Sequence, residues 1–161
     1  MEYRFEHPSK ACGYHLYELA KETKSLYVNS IYYYFWMSDY FKFSSGICIY
    51  SKTNEIIGFS LGFLKPEQVS TLFIWQIGVN INFRNKGVAK GLLQFLFNSN
   101  ISLNYIEATI GFMNTPSILL FESISKIYNA NLKTETFLNM ESFPLRDHEA
   151  EILFRIGPIA R

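Results

Sequence analysis

The chain predicts an α/β domain built on a mixed sheet, and three observations carry that prediction. Segments with helical apolar spacing alternate with runs rich in β-branched and aromatic residues. One such run, Thr71 to Val79, passes through a short polar turn directly into an apolar helix with Leu92, Leu93, Leu96 and Phe97 on one face. At 161 residues the chain is long enough for one core, and no repeat, low-complexity tract or linker divides it, so residues 1–161 read as a single domain.

Each element follows from local pattern. Tyr3 to Phe5 is a candidate short strand. Ser9 to Glu22 reads as a helix, with Ser9 as cap and Leu16, Leu19 and Ala20 facing inward. Asn29 or Ser30 caps a second helix through Asp39, crowded with Tyr32, Tyr33, Tyr34, Phe35 and Trp36. Ser45 to Tyr50 and Glu55 to Leu64 form a hairpin across the turn Ser51 to Asn54. Thr71 to Val79 is the third long strand, and a helix runs from Gly87 to about Asn98. Tyr105 to Ile110 is a short buried strand. Pro116, in the first turn after Asn114, opens a helix to about Ile127. Strands near Asn131 to Phe137 and Glu149 to Ile156 close the chain.

Composition narrows the function. A net charge of +1 gives no case for a general nucleic-acid or acidic-membrane binder. Cys12 and Cys48 have no metal-ligand spacing, so no metal is expected. The opening Met1-Glu2-Tyr3-Arg4 resembles neither a signal nor a transit peptide, and the run Ile31 to Met37 is too short to span a membrane. The expectation is a reduced, cytoplasmic setting.

The stretch Val79 to Leu93 is the most informative. Strand, small-residue turn and helix start together place free backbone N–H groups where a pyrophosphate can be held. Gly87 and Ala89 leave room for phosphates to approach, and Arg84, Lys86 and Lys90 add positive charge beside Asn85 and Val88. Neither GxGxxG after a strand nor GxxxxGK[ST] occurs, so other phosphate loops lose their main support. The alternative is a basic turn that caps an ordinary helix.

Arg84-x-x-Gly87-x-Ala89 resembles the signature of the GCN5-related N-acetyltransferases, which hold the pyrophosphate of acetyl-CoA there. Further islands resemble one branch, the L-2,4-diaminobutyrate acetyltransferases of ectoine synthesis. They are Asn29-Ser30-x-Tyr32-x-Tyr34, Gly58-Phe59-x-x-Gly62-Phe63, Leu72 to Val79, Ile106 to Ile110 followed by Asn114, Leu120-Phe121, and His148 to Ile156. The resemblance implies a mostly antiparallel sheet of six or seven strands with about four helices. It also implies a splay between two parallel strands that admits the pantetheine arm. It further implies a homodimer and a small-molecule amine substrate. One departure matters: where the branch carries Asp, this chain has Tyr27, which removes a carboxylate partner for the substrate ammonium.

Within that resemblance the residues take roles. The backbone of Ile77 and Val79, with the turn from Arg84 to Lys90, would hold the cofactor, and a donor at Ile77 or its neighbour would polarise the thioester. Asn114 resembles a contact to the pantetheine or phosphate region, and also fits as the cap of its helix. Glu151, His148 and Glu107 are candidates for the base; partial burial of Glu151 at a strand start would raise its pKa and make it a base or ammonium anchor. Glu107, among apolar neighbours, fits a cross-strand ion partner as well as a base. Trp75, Tyr32 and Tyr34, with Tyr27, are candidate acceptor-pocket walls. Phe121 stands where many acetyltransferases place a proton-donating Tyr, leaving a water, Tyr32 or Tyr34 to serve the thiolate, or no acid at all. Two other readings stay open: a different small amine, such as another diamino acid, an amino sugar or a polyamine, and a CoA-binding sensor without turnover.

Overall fold

The computed structural model describes residues 2–144 and 149–160. Strands are β1 (Tyr3–Glu6), β2 (Gly46–Tyr50), β3 (Glu55–Lys65), β4 (Gln68–Val79), β5 (Tyr105–Gly111), β6 (Leu132–Leu138) and β7 (Glu151–Ile156). Helices are α1 (Gly13–Thr23), α2 (Ile31–Tyr40), α3 (Val88–Ser99) and α4 (Thr115–Ile127). The strands form a seven-stranded sheet in the order β1-β2-β3-β4-β5-β7-β6. β4 and β5 pair in parallel over Thr71–Phe73 against Tyr105–Glu107, and that register ends before either strand does. β5, β7 and β6 continue antiparallel. The mixed sheet and its helices match the class the sequence predicts.

Two compact units emerge, Met1–Phe63 with Trp75–Ile101, and Leu64–Ile74 with Ser102–Arg161. In the first, α1 and α2 cover β2 and β3 through Leu16, Leu19, Ala20, Tyr34, Met37, Ile47, Phe59 and Leu61. Val88 and Leu92 of α3 pack with Cys48 and Ile57. Burial of this apolar surface is the main stabilising contribution. In the second unit, Phe121 of α4 meets Phe154 of β7 edge-on, with ring centroids 6.2 Å apart.

Two boundaries differ from expectation, each for a local reason. The first helix begins as a 3-10 turn, Lys10–Cys12, and Ser9 makes no side-chain cap bond; its hydroxyl lies 3.7 Å from the Cys12 thiol. β4 starts at Gln68, because β3 and β4 are joined by only Pro66 and Glu67, and the polar residues Gln68 and Ser70 mask the strand. Gly78 accommodates packing: a Cβ there would sit 2.8 Å from the Phe59 ring and 3.0 Å from Leu26.

Candidate active site

The turn after β4 is a backbone device. Asn85 and Gly87 adopt left-handed conformations, with φ of 60° and 81°, and turn the chain into α3. A Cβ on Gly87 would meet nothing within 4 Å, so the turn leaves open space there. The first bond inside α3 runs from Gly91 N to Gly87 O at 2.8 Å. The N–H groups of Val88, Ala89 and Lys90 therefore precede any helical acceptor, and no acidic side chain occupies the first turn. Lys86 and Lys90 are exposed beside them. The Val88 side chain is buried in the core, which leaves its backbone for a ligand. A pyrophosphate, with its need for N–H donors and positive potential, fits this arrangement.

Arg84 behaves differently from its neighbours. Its Nη2 donates to the Thr23 carbonyl at 2.7 Å and to Ser25 Oγ at 3.4 Å, and its Nε donates to the Val79 carbonyl at 3.3 Å. The guanidinium ties the turn to the end of α1. Its charge remains near the phosphate site, but its donors point elsewhere.

Along β4, side chains alternate: Ile74, Gln76 and Gly78 are buried, while Trp75 is 57% exposed and Ile77 and Val79 are half-buried. Trp75 is thus no core residue. Tyr27 and Tyr32 are 87% and 72% exposed. Tyr34 has no exposed surface and packs edge-on against Tyr17, Tyr33 and Phe59, so it belongs to the core and lines no open wall. Burial raises the Tyr34 pKa, and its neighbours Asn29 and Gln76 draw it back.

In the second unit, Glu107 is a structural ion partner. Its side chain is 1% exposed, one oxygen accepts from Lys65 Nζ at 2.9 Å, and the other accepts from Arg155, its direct partner on β7. Arg155 also lies over the Tyr105 ring at 3.9 Å and donates to Gln68 at 3.2 Å. Both oxygens are engaged by cations, which makes Glu107 the cross-strand ion partner that the sequence leaves open beside the role of base. Asn114 is the N-cap of α4, its side chain accepting from Ser117 N at 3.3 Å. Phe121 is buried. Glu151 opens β7, half-buried and in register with Gly111. His148 lies outside the described residues.

Sequence reading missed Glu149 and Gln76. The Glu149 carboxylate accepts from Met113 N at 3.0 Å, in the turn before α4, and a Cβ on Gly111 would collide with it. Gln76 Nε2 donates to the Tyr27 carbonyl at 2.8 Å. A polar residue inside an otherwise apolar strand is the one signal that marks Gln76 in the sequence.

Burial pushes the Cys48 thiol up to about 11, which holds it protonated and unfit as a nucleophile. Among the described residues, no group of three or more His, Cys, Asp or Glu side chains could hold a metal ion.

The acetyltransferase (GNAT) family profile matches residues 13–124. This chain belongs to the GNAT acetyltransferase family. Membership makes the protein an acetyl-CoA-dependent N-acetyltransferase. The GNAT chain is 40% identical to an L-2,4-diaminobutyric acid acetyltransferase of Oceanobacillus iheyensis, over 99% of its own length and 90% of the relative's. It is 38% identical to the enzyme of that name from Halalkalibacterium halodurans, over 94% and 80% of the two chains. Among solved structures, it is similar to diaminobutyrate acetyltransferase EctA from Paenibacillus lautus, in complex with its substrate L-2,4-diaminobutyric acid and coenzyme A. The TM-score is 0.91 at 32% identity, covering 99% of this chain and 97% of that one. The NatC complex bound to Gag peptide and CoA, at 16% identity and a TM-score of 0.77, shares the fold.

Proposed function

We propose that this acetyltransferase moves the acetyl group of acetyl-CoA to the N4 amine of L-2,4-diaminobutyrate, as a step of ectoine synthesis. The observation that carries the reading is 40% identity over 99% of the chain to a diaminobutyrate acetyltransferase, with the cofactor turn intact. Acetyl-CoA supplies an activated thioester. The N–H groups of Val88 to Lys90 bind its pyrophosphate, with Gly87 leaving the space and Lys86 and Lys90 the positive potential. The backbone of Ile77 and Val79 holds the thioester end, and a freed N–H at Ile77 stabilises the developing oxyanion. Asn114 caps α4 and contacts the pantetheine region with the same amide.

Tyr27, Tyr32 and Trp75 form the acceptor walls, and the exposure of all three rings supports this. Glu151 anchors or deprotonates the ammonium, with His148 the other candidate base. Direct attack in a ternary complex is the route, since neither Cys12 nor Cys48 sits near a plausible base in the motifs. The thiolate receives its proton from water or Tyr32, since Phe121 carries no donor and Tyr34 is buried. The protein acts as a single domain in the cytoplasm and as a homodimer, for which the exposed Trp36 and Tyr40, four apart on α2, supply an apolar surface. No described helix is long and apolar enough to cross a membrane.

The test is CoA release by purified protein with L-2,4-diaminobutyrate, ornithine, lysine, diaminopropionate, polyamines and amino sugars. Preference for diaminobutyrate is expected. Turnover on another amine moves the substrate, and CoA binding without any turnover removes the enzyme assignment. Glu151→Gln is expected to lower kcat about 100-fold, in the range of a lost general base. An unchanged kcat eliminates Glu151 as the base.

A further inference from the structure

The segment between α1 and α2, residues 24–30, has no regular secondary structure, yet it is held at several points. Leu26 and Val28 pack against the core, and Leu26 lies over Gly78. Between them Tyr27 turns outward, 87% exposed. Its carbonyl accepts from Gln76 Nε2 at 2.8 Å. Just before, the Thr23 carbonyl and Ser25 hydroxyl accept from Arg84. Both donors come from the strand and turn that serve the cofactor: Gln76 follows Trp75 on β4, and Arg84 opens the phosphate turn.

Gln76 is 7% exposed on a strand face whose other buried positions are Leu72, Ile74 and Gly78. A buried amide in such a place costs stability unless its hydrogen bonds are made, and packing alone would be served as well by leucine. What the amide provides is a fixed position for the Tyr27 backbone, one residue along β4 from Trp75. A phenol presented on a clamped backbone is a wall of defined position, which matters where a carboxylate partner is absent.

We propose that Gln76 and Arg84 are positioning residues for the acceptor: they clamp residues 24–30 so that Tyr27 forms one wall of the amine site. The inference rests on the acetyltransferase reading above and deepens it by naming what sets acceptor affinity. It also ties the Arg84 side-chain donors to the acceptor side of the reaction, leaving the phosphates to the backbone amides of α3 and to Lys86 and Lys90.

Two variants test it, Gln76→Met, which keeps length and volume but cannot donate, and Arg84→Lys, which keeps the charge but loses the forked donor set. Initial-rate kinetics with both substrates, amide exchange of residues 24–30 and thermal melting are measured on each. The expected result is a rise of about three- to tenfold in the KM of the amine, the scale of one lost hydrogen bond. For Gln76→Met the KM of acetyl-CoA and kcat should stay within about twofold, and both variants should show faster exchange confined to residues 24–30. Gln76→Asn, a shorter donor, should recover part of the amine KM. Should Gln76→Met not fold, Gln76→Leu, which fills the space without a donor, carries the same comparison. A lower melting temperature with both KM values unchanged overturns the proposal, as does a KM rise confined to acetyl-CoA. Wild-type protein that turns over no amine overturns the acetyltransferase reading and this one with it, whereas wild-type turnover with unshifted variants overturns only this one.

Discussion

The turn from Arg84 to Lys90 and the cluster around Glu107 are both polar, and they use polarity in opposite ways. At the turn, the useful groups are backbone N–H donors that the protein itself leaves without helical acceptors, beside open space at Gly87. Around Glu107 the groups are side-chain charges, and each carboxylate oxygen already meets a cation. A buried charge whose hydrogen-bonding capacity is filled from within holds strands together; a set of donors left open awaits a ligand. Residue type alone would rank Glu107 above Gly87 as a functional residue. Partner accounting reverses that order.

The sharpest way to break the contrast is Glu107→Gln. Loss of the buried carboxylate leaves Lys65 and Arg155 without their shared counter-ion, though both are partly exposed and can rehydrate. A loss of about 2–3 kcal/mol is expected in urea denaturation, toward the lower end for a broken buried pair. Turnover per folded molecule should hold within about twofold. A large fall in kcat with intact stability would restore Glu107 as a catalytic base and erase the distinction.

Gly87→Ala probes the other side. In the free protein the added methyl group meets no atom, so the cost is that of holding a non-glycine residue at φ 81°, about 1–2 kcal/mol. On the proposed reading of the turn the same methyl group would take the space meant for phosphate, and the cofactor KM is expected to rise by about tenfold or more. Equal effects on stability and cofactor binding would show that the turn is structural only.

These two regions also explain what was legible in the sequence. The turn could be read because its information is local: a β-branched run, a glycine at the needed left-handed position, and an apolar period of helical spacing within about 25 residues. The ion cluster could not, because Lys65 and Arg155 lie 42 and 48 residues from Glu107 and only the sheet brings them together. Arg84 was legible as a position but not as a role, since its hydrogen-bond partner Thr23 lies 61 residues away. Tyr32 and Tyr34 illustrate a different limit. α2 is apolar on nearly every face, so spacing gives no inward side, and only packing against Tyr17 and Phe59 separates the buried ring from the exposed one.

The smallest expected effect has the most telling sign. Lys86 and Lys90 flank the N-terminus of α3, where the helix dipole disfavours positive charge, and the first turn holds no acidic side chain to offset them. In the free protein, Lys86→Ala or Lys90→Ala should therefore be neutral or stabilising by a few tenths of a kcal/mol. Acetyl-CoA binding should weaken by about two- to fivefold for each, because the phosphate that justified the cation loses it. Calorimetric titration at rising salt checks this: wild-type affinity should fall as the exposed lysines are screened, and the double variant should show a flatter dependence. A double variant that binds acetyl-CoA as tightly as wild type, with the same salt dependence, would assign all phosphate recognition to the backbone amides. The contrast with the Glu107 cluster would then be sharper still, because side-chain charge would serve architecture alone.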